Sequence, residues 1–295
     1  MQPVHETYSQ RLCRETAELG ELVERVIAAS TIRNIDPNRG SSSVAFIGFA
    51  SWGWGPSGPE HERARMEVLA LLRDLRPRFE LLFPHPTPRL AKSQAKAFDM
   101  LEKWMLREKS DHDIPSNLES AKAKAVDAVS QLIACHESLP PDQHAVRLVP
   151  DTNALIDLPD LATFVAALGP RYCAHVLPVV MRELDELKRG GRNQEVRDGA
   201  KKADRYLKGL RDRGDVRVGV RVAGDVVAVF EHTEPRGDKL PSWLELDVPD
   251  DRFVASVLLL QSKHPGSALH VATSDLNMQT KLAAAGIPYL EPPEK

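Results

Sequence analysis

The strongest chemical signal in the chain is a set of acidic residues on well-separated stretches: Asp151, Glu183, Asp250 with its neighbour Asp251, and Asp275. Asp151 follows the apolar run Val146–Pro150, and Asp275 follows Leu269–Ser274. Short apolar runs of this kind read as buried strands. Sites in open parallel sheets form beyond the carboxyl ends of the strands, which puts both aspartates at one edge. Glu183 falls in the first turns of the helix that leaves the strand-like Tyr172–Leu177, and Asp250 and Asp251 open the helix Phe253–Gln261. Converging carboxylates repel one another, so such a cluster needs a cation or protonation. Carboxylate and water oxygens suit Mg²⁺ or Mn²⁺, and no His/Cys set accompanies them to suggest zinc. A cation held there would activate a water and neutralise charge in an in-line phosphoryl displacement. Taken singly, each Asp is also a good helix N-cap and Glu183 a first-turn acid favoured by the helix dipole. The shared placement is what favours a site.

The elements that must position these acids alternate. After Val146–Val149 come helix Leu161–Leu168, strand Tyr172–Leu177, helix Pro178–Lys188 and a longer helix Arg197–Arg213. Strand-like Val216–Val222 and Val226–Glu231 follow, then helix Phe253–Gln261, strand Ala268–Thr273, helix Met278–Ala285 and a short strand Pro288–Leu290. Strands alternating with helices predict an α/β fold with a mainly parallel sheet flanked by helices. The preceding part reads as an all-α N-terminal domain. Its segments are Leu12 to Ile27, Glu60 to Leu82 with Pro77 expected to kink or end it, Pro88 to Lys109, and Asn117 or Leu118 to Glu137. The stretch Gly48–Pro59 reads as a loop; its Trp52 and Trp54 either pack over helix ends or form a contact surface, and packing is the better reading. Ser138–His144 reads as a linker, giving a helical domain over 1–140 and an α/β domain over 145–295.

Composition is that of an ordinary globular protein, with 42% hydrophobic and 27% charged residues. No stretch reaches the ~18–20 apolar residues of a membrane span, and the N-terminus lacks the build of a signal peptide, so a cytoplasmic protein without membrane contact is expected. Cys13, Cys135 and Cys173 are odd in number and far apart, which fits free buried thiols. The helical N-terminal domain carries no recognisable chemistry; a homo-oligomer or protein partner contact is the role left to it.

A net charge of −3 argues against nucleic-acid binding by bulk charge. Charge is nevertheless sorted along the chain. Residues 188–213 hold ten Lys/Arg against four acids. On a helix, Arg197, Lys201, Arg205 and Lys208 share one face, with Ala203, Tyr206, Leu207 and Leu210 opposite. With Lys188, Arg189 and Arg192 in the preceding loop, this stripe either pairs with phosphates or is an ordinary solvated face. His175 and His270 fall in expected strands and read as core residues.

Four segments in order, Val149-Pro-Asp-Thr-Asn-Ala-Leu-Ile156, Met181-Arg-Glu-Leu-Asp-Glu-Leu-Lys188, Asp250-Asp-Arg-Phe-Val-Ala255 and Thr273-Ser-Asp-Leu-Asn277, resemble the acidic motifs of PIN domains. The resemblance covers roughly residues 145–293 and is closer to the larger PhoH-associated and nonsense-mediated-decay endonuclease groups than to a minimal toxin. It implies Mg²⁺- or Mn²⁺-dependent cleavage of single-stranded RNA that leaves 5′-phosphate ends. By the motif match Asp151, Glu183, Asp250 and Asp275 would be the ligands. Asp250 is preferred to Asp251 because Ala255 and Ser256 then fall where the family has small residues. Asn153 and Ser274 would orient the carboxylates or the water. The stretch Val216–Trp243 departs from a minimal domain and looks like an added hairpin around Ala223-Gly224-Asp225. The alternative is a PIN-like scaffold that binds RNA or a protein without catalysis.

Overall fold

The computed structural model describes residues 5–35, 51–107, 113–139, 141–236, 240–241 and 243–293. The chain divides into two compact units: Arg11–Leu139, and Pro140–Lys295 together with Met1–Gln10.

In the first unit, helix α1 (Tyr8–Ala28) turns Leu12, Leu19, Val23 and Ile27 into the core at helical spacing. Helices α2 (Pro59–Leu81), α3 (Pro88–Leu106) and α4 (Leu118–Cys135) follow. Thr87 caps α3 by accepting from Leu90 N–H, and Asn117 caps α4 by accepting from Ser120 N–H. Of the two outcomes expected at Pro77, a kink or an end, the helix does not end there. Leu72, Leu75, Phe79 and Leu81 stay on the buried face on both sides of it, so tertiary packing outweighs the missing backbone donor. Phe79 and Phe98 meet edge-on with ring centroids 5.4 Å apart.

This unit is mainly helical but not all-α. Strand β1 (Ile32–Asn34) pairs antiparallel with β2 (Trp52–Trp54), where a loop was expected. Residues 48–50 of that loop lie outside the described residues. Trp54 is buried edge-on against Trp104, 5.6 Å between centroids, whereas Trp52 is half-buried.

The second unit is α/β. Among the described residues its six-stranded sheet runs in the order β5-β6-β4-β3-β7-β8. The strands are β3 (Val146–Pro150), β4 (Cys173–Val176), β5 (Val220–Ala223), β6 (Val226–Phe230), β7 (Ala268–Ala272) and β8 (Tyr289–Leu290). All neighbours are parallel except β5 and β6. A mostly parallel sheet is buried on both faces, which is why β3 and β4 are apolar but for Arg147 and His175. Their residues are buried throughout.

Helices α5 (Thr152–Asp157), α6 (Val165–Leu168), α7 (Pro178–Gly190), α8 (Gln194–Arg211), α9 (Pro249–Lys263) and α10 (Leu276–Ala284) complete the unit. Residues 161–164 form a 3₁₀ turn ahead of α6, so the expected helix 161–168 is α-helical only in its second half. The expected added hairpin is only partly an addition. β6 belongs to the parallel sheet beside β4, and β5 is its antiparallel edge partner, joined through Gly224 at φ 53. Residues 237–239 and 242 of that stretch lie outside the described residues. Gly199 lets α8 approach α5 closely, since a Cβ there would stand 2.6 Å from Cγ2 of Ile156. No helix among the described residues is long and apolar enough to cross a membrane.

Candidate active site

The chain leaves β3 for β4 on one side and returns later to β7 on the other, so β3 is the switch point where a crevice opens at the carboxyl edge. Asp151 sits directly there. Its backbone N–H donates to the carbonyl of Ala272, which continues the β3–β7 ladder by one residue. Its carboxylate caps α5 by accepting from Ala154 N–H at 2.6 Å. Asp275 stands three residues past β7 and caps α10, accepting from the N–H groups of Asn277 and Met278 at 2.8 and 3.1 Å. Both aspartates therefore are N-caps, as the bland reading had it, and both also line the cleft.

That cleft, of about 260 Å³, is lined by Asp151, Asn153, Glu183, Glu186, Asp250 and Asp275 with Thr152, Leu187, Phe253 and Met278. It gathers carboxylates from four separate segments. Glu183 projects from the second turn of α7 and accepts from the Thr152 hydroxyl. Asp250 lies in the first turn of α9, which begins at Pro249, four residues earlier than the pattern suggested. Proline at the first helical position explains that start, because its missing N–H is no loss there. Asp250 Oδ2 accepts from Asn277 Nδ2 at 3.0 Å and pairs with Lys281 Nζ at 3.3 Å.

Burial raises the Asp151 pKa first of all, and the charges of Asp275 and Glu183 push it further; bonds from Thr273 and Ala154 pull the other way. Burial likewise raises Glu183, with Asp250 and Glu186 adding to the effect and Thr152 opposing it. The pattern is that of a negative cluster awaiting compensation.

Two residues stand elsewhere than the sequence reading put them. Asp251, one residue from Asp250 on the helix, turns away from the cleft. It is nearly buried, accepts from Glu245 N–H at 3.0 Å and pairs with Lys281 at 2.7 Å. A 100° step between neighbours on a helix separates the two carboxylates. Ser274 is exposed and does not line the cleft. The neighbouring Thr273, wholly buried, donates to Asp151 and accepts from the backbone N–H of Asp275 at 3.1 Å. Thr273, Thr152, Asn277 and Lys281 were missed, because their roles depend on which segments meet in space. Only the identity of Thr152 and Thr273 as hydroxyls flanking Asp151 and Asp275 offered a signal.

The basic residues are sorted by pairing. Lys188 engages Asp185 and Asp204, Lys201 pairs with Asp198 at 3.2 Å, and Lys208 with Asp204 at 2.8 Å. Arg197 folds back on the Gly191 carbonyl at 2.7 Å. Arg189, Arg192 and Arg205 are exposed and make no ion pair among the described residues. His175 is buried, as expected of a core residue, and His270 is half-buried with its ring edge-on to His5, 4.8 Å between centroids.

Among the described residues no three His, Cys, Asp or Glu side chains stand close enough together to hold one ion directly. Asp151, Glu183, Asp250 and Asp275 each accept from a different donor. The donor set is all oxygen, and Mg²⁺ keeps several waters while taking one or two carboxylates directly. A hydrated Mg²⁺ or Mn²⁺, held partly through water, fits that spread. Zinc does not, since neither His nor Cys lines the cleft.

Among known proteins, no curated sequence matches the chain. Among known families, the match runs from residue 148, in β3, to residue 291, just past β8, and so takes in every carboxylate of the cleft. Residues 148–291, the C-terminal part of the chain, are a PIN domain, of a family of typically metal-dependent nucleases that generally use divalent metals.

Proposed function

We propose that the PIN domain is an endoribonuclease that cleaves single-stranded RNA with Mg²⁺ or Mn²⁺. The observation that carries this reading is the meeting of Asp151, Glu183, Asp250 and Asp275 in one cleft beyond the strand ends. Those four residues would hold the ion, directly or through water. When bound, the ion supplies a water of lowered pKa and offsets charge on the scissile phosphate.

The chain's own groups set up the rest. Thr152 and Thr273 hold Glu183 and Asp151 in place by donating to them, so neither carboxylate must reorganise as substrate arrives. Asn277 does the same for Asp250. Asn153 lines the cleft without a protein partner among the described residues and would orient the attacking water or a phosphate oxygen. Among the described residues no histidine lines the cleft, and none is needed as a base when the water is already acidified. For the RNA backbone, Arg189, Arg192 and Arg205 are the contacts we favour. Lys188, Arg197, Lys201 and Lys208 would first have to leave their present partners.

The test compares wild type with Asp151→Asn on single-stranded RNA and DNA with Mg²⁺ or Mn²⁺. Asn still caps α5, so the fold survives and only the charge is lost. We expect RNA cleavage that depends on the metal and is lost in the variant. Cleavage that survives the substitution sinks the site assignment. RNA binding with no cleavage under any condition replaces this reading with a non-catalytic scaffold.

A further inference from the structure

The helical unit has a cavity of about 290 Å³ between the β1–β2 ribbon, the start of α2 and the end of α3. Three guanidinium groups, Arg33, Arg65 and Arg107, line it against one carboxylate, Glu62. Glu62 is committed to Arg65, whose Nη1 donates to it at 2.7 Å. Arg65 is itself buried, its Nε donating to the Met105 carbonyl at 2.9 Å. Among the described residues Arg33 and Arg107 make no ion pair.

Arg107 sits at the C-cap of α3 with φ 57, the one non-glycine residue with positive φ among those described. A long side chain is rare in that region, and such outliers gather at functional sites. From there its guanidinium reaches over the Trp54 ring, 5.1 Å from the centroid. Nη1 donates to the Gly55 carbonyl and the Ser57 hydroxyl, and Nη2 to the Ser30 hydroxyl and to His61 Nε2 at 3.2 Å. None of these acceptors carries charge, and the buried Nε has no acceptor. Burial, and then the Arg65 charge, push the Arg107 pKa down to about 10 against the opposing Glu62 charge. Arg33 is exposed and makes no ion pair or hydrogen bond among the described residues.

A half-buried guanidinium beside a second cation is poorly placed unless an anion joins it. The open planar fork of Arg33, with the Ser57 hydroxyl and the Arg107 charge beside it, suits the several oxygens and double charge of a phosphate better than a single carboxylate. We propose that this cavity binds a phosphate group, either as inorganic phosphate or as the monoester end of a small ligand, held by Arg33, Arg107 and Ser57. This site is independent of the PIN cleft and of its chemistry.

Calorimetric titration of the full chain tests the proposal, with EDTA present so that the carboxylate cleft holds no cation. The probes are inorganic phosphate, adenosine 5′-monophosphate and adenosine, against chloride at matched ionic strength. Phosphate should bind with one site per chain, the nucleotide at least as well, and adenosine not at all. Phosphate binding without nucleotide binding assigns the site to the free anion. Arg107→Asn keeps a residue that tolerates the left-handed backbone and should weaken binding at least tenfold. Arg33→Gln alters a side chain without a structural role and should weaken it at least threefold. Absence of phosphate binding, or unchanged affinity in Arg33→Gln, overturns the proposal.

Discussion

Nη1 of Arg147 lies 2.7 Å from Nε2 of His175, in the interior of the α/β unit. A guanidinium can only donate, so Nε2 must accept and the proton resides on Nδ1. Nδ1 in turn stands 2.8 Å from Glu231 Oε1 and donates to it. The imidazole is thus held neutral by its neighbours, although a carboxylate touches it.

That relationship fixes a pH response. Burial lowers the His175 pKa to about 4; the Glu231 bond opposes the shift and the Arg147 charge adds to it. Free histidine titrates near 6.5, so the unfolded chain takes up a proton between those values and the folded chain does not. The stability this contributes is complete above about pH 6.5 and disappears as pH falls toward 4. The loss is at most about 3 kcal/mol. His136, in the other unit, shifts the same way by burial, to about 4. The measurement therefore has to be local: hydrogen exchange of β3 and β4 amides at pH 7, 6 and 5. Protection should fall across that range in wild type and change little in His175→Gln. Parallel profiles in the two proteins would contradict the assignment.

Thr273 makes a second expectation. Its hydroxyl donates to Asp151 and takes the Asp275 N–H, so one side chain ties two of the cleft's acids together. Partners of this kind typically contribute ~10–100-fold to metal affinity or activity. Thr273→Val keeps the shape and removes the bond, and should lower Mn²⁺ affinity within that range. Ser274→Ala, one residue along, should stay within about twofold, since an exposed side chain outside the cleft orients nothing. A titration of Mn²⁺ against thermal stability measures both; equal effects would return the orienting role to Ser274.

Like-charge crowding predicts a trade between stability and binding. Glu183 is held up by burial and by the nearby Asp250 and Glu186 charges. Glu183→Gln still accepts from Thr152 but removes a charge that burial, Asp250 and Glu186 disfavour more than Thr152 and Arg182 favour it. In EDTA the variant should unfold a few degrees higher than wild type, about 1 kcal/mol for a domain of this size. With Mg²⁺ or Mn²⁺ added, wild type should gain stability and the variant much less. A variant less stable than wild type in EDTA would mean that the carboxylates do not strain one another.

The sheet and the acids at its edge could be read from sequence because each depends on a local pattern. Val146–Pro150 and Ala268–Ala272 are mainly apolar runs, broken only by Arg147 and His270, and Asp151 and Asp275 lie just beyond them. What local pattern could not supply is pairing in space. Lys281 faces Asp250 and Asp251 only because α10 packs against α9, and Thr273 meets Asp151 only through the β3–β7 register. The six-residue α5 is too short for periodicity to declare it, and its N-cap Asp151 is its main signature. Pro77 is the opposite case: a local rule that allows a helix to end there gave way to the buried face of α2. Trp52–Trp54 looked like loop because Gly53 and Gly55 flank Trp54, and only the pairing with Ile32–Asn34 makes it a strand.

The basic helix yields the last expectation, and here the pairing of charges decides it. Lys201 and Lys208 have carboxylates three and four residues away on the same helix, so binding a phosphate would cost them an existing partner. Arg189, Arg192 and Arg205 are exposed and have no such partner among the described residues. Each phosphate contact releases about one counterion, with a slope near −0.7 per contact for single strands. Replacing the three arginines by Ala should therefore weaken binding to single-stranded RNA and flatten the log–log salt slope by about 2. Lys201→Ala with Lys208→Ala should leave the slope within about 0.5 of wild type. Fluorescence anisotropy across a KCl series separates the two variants, and a larger effect from the lysine pair would show that its intrahelical bonds yield to RNA.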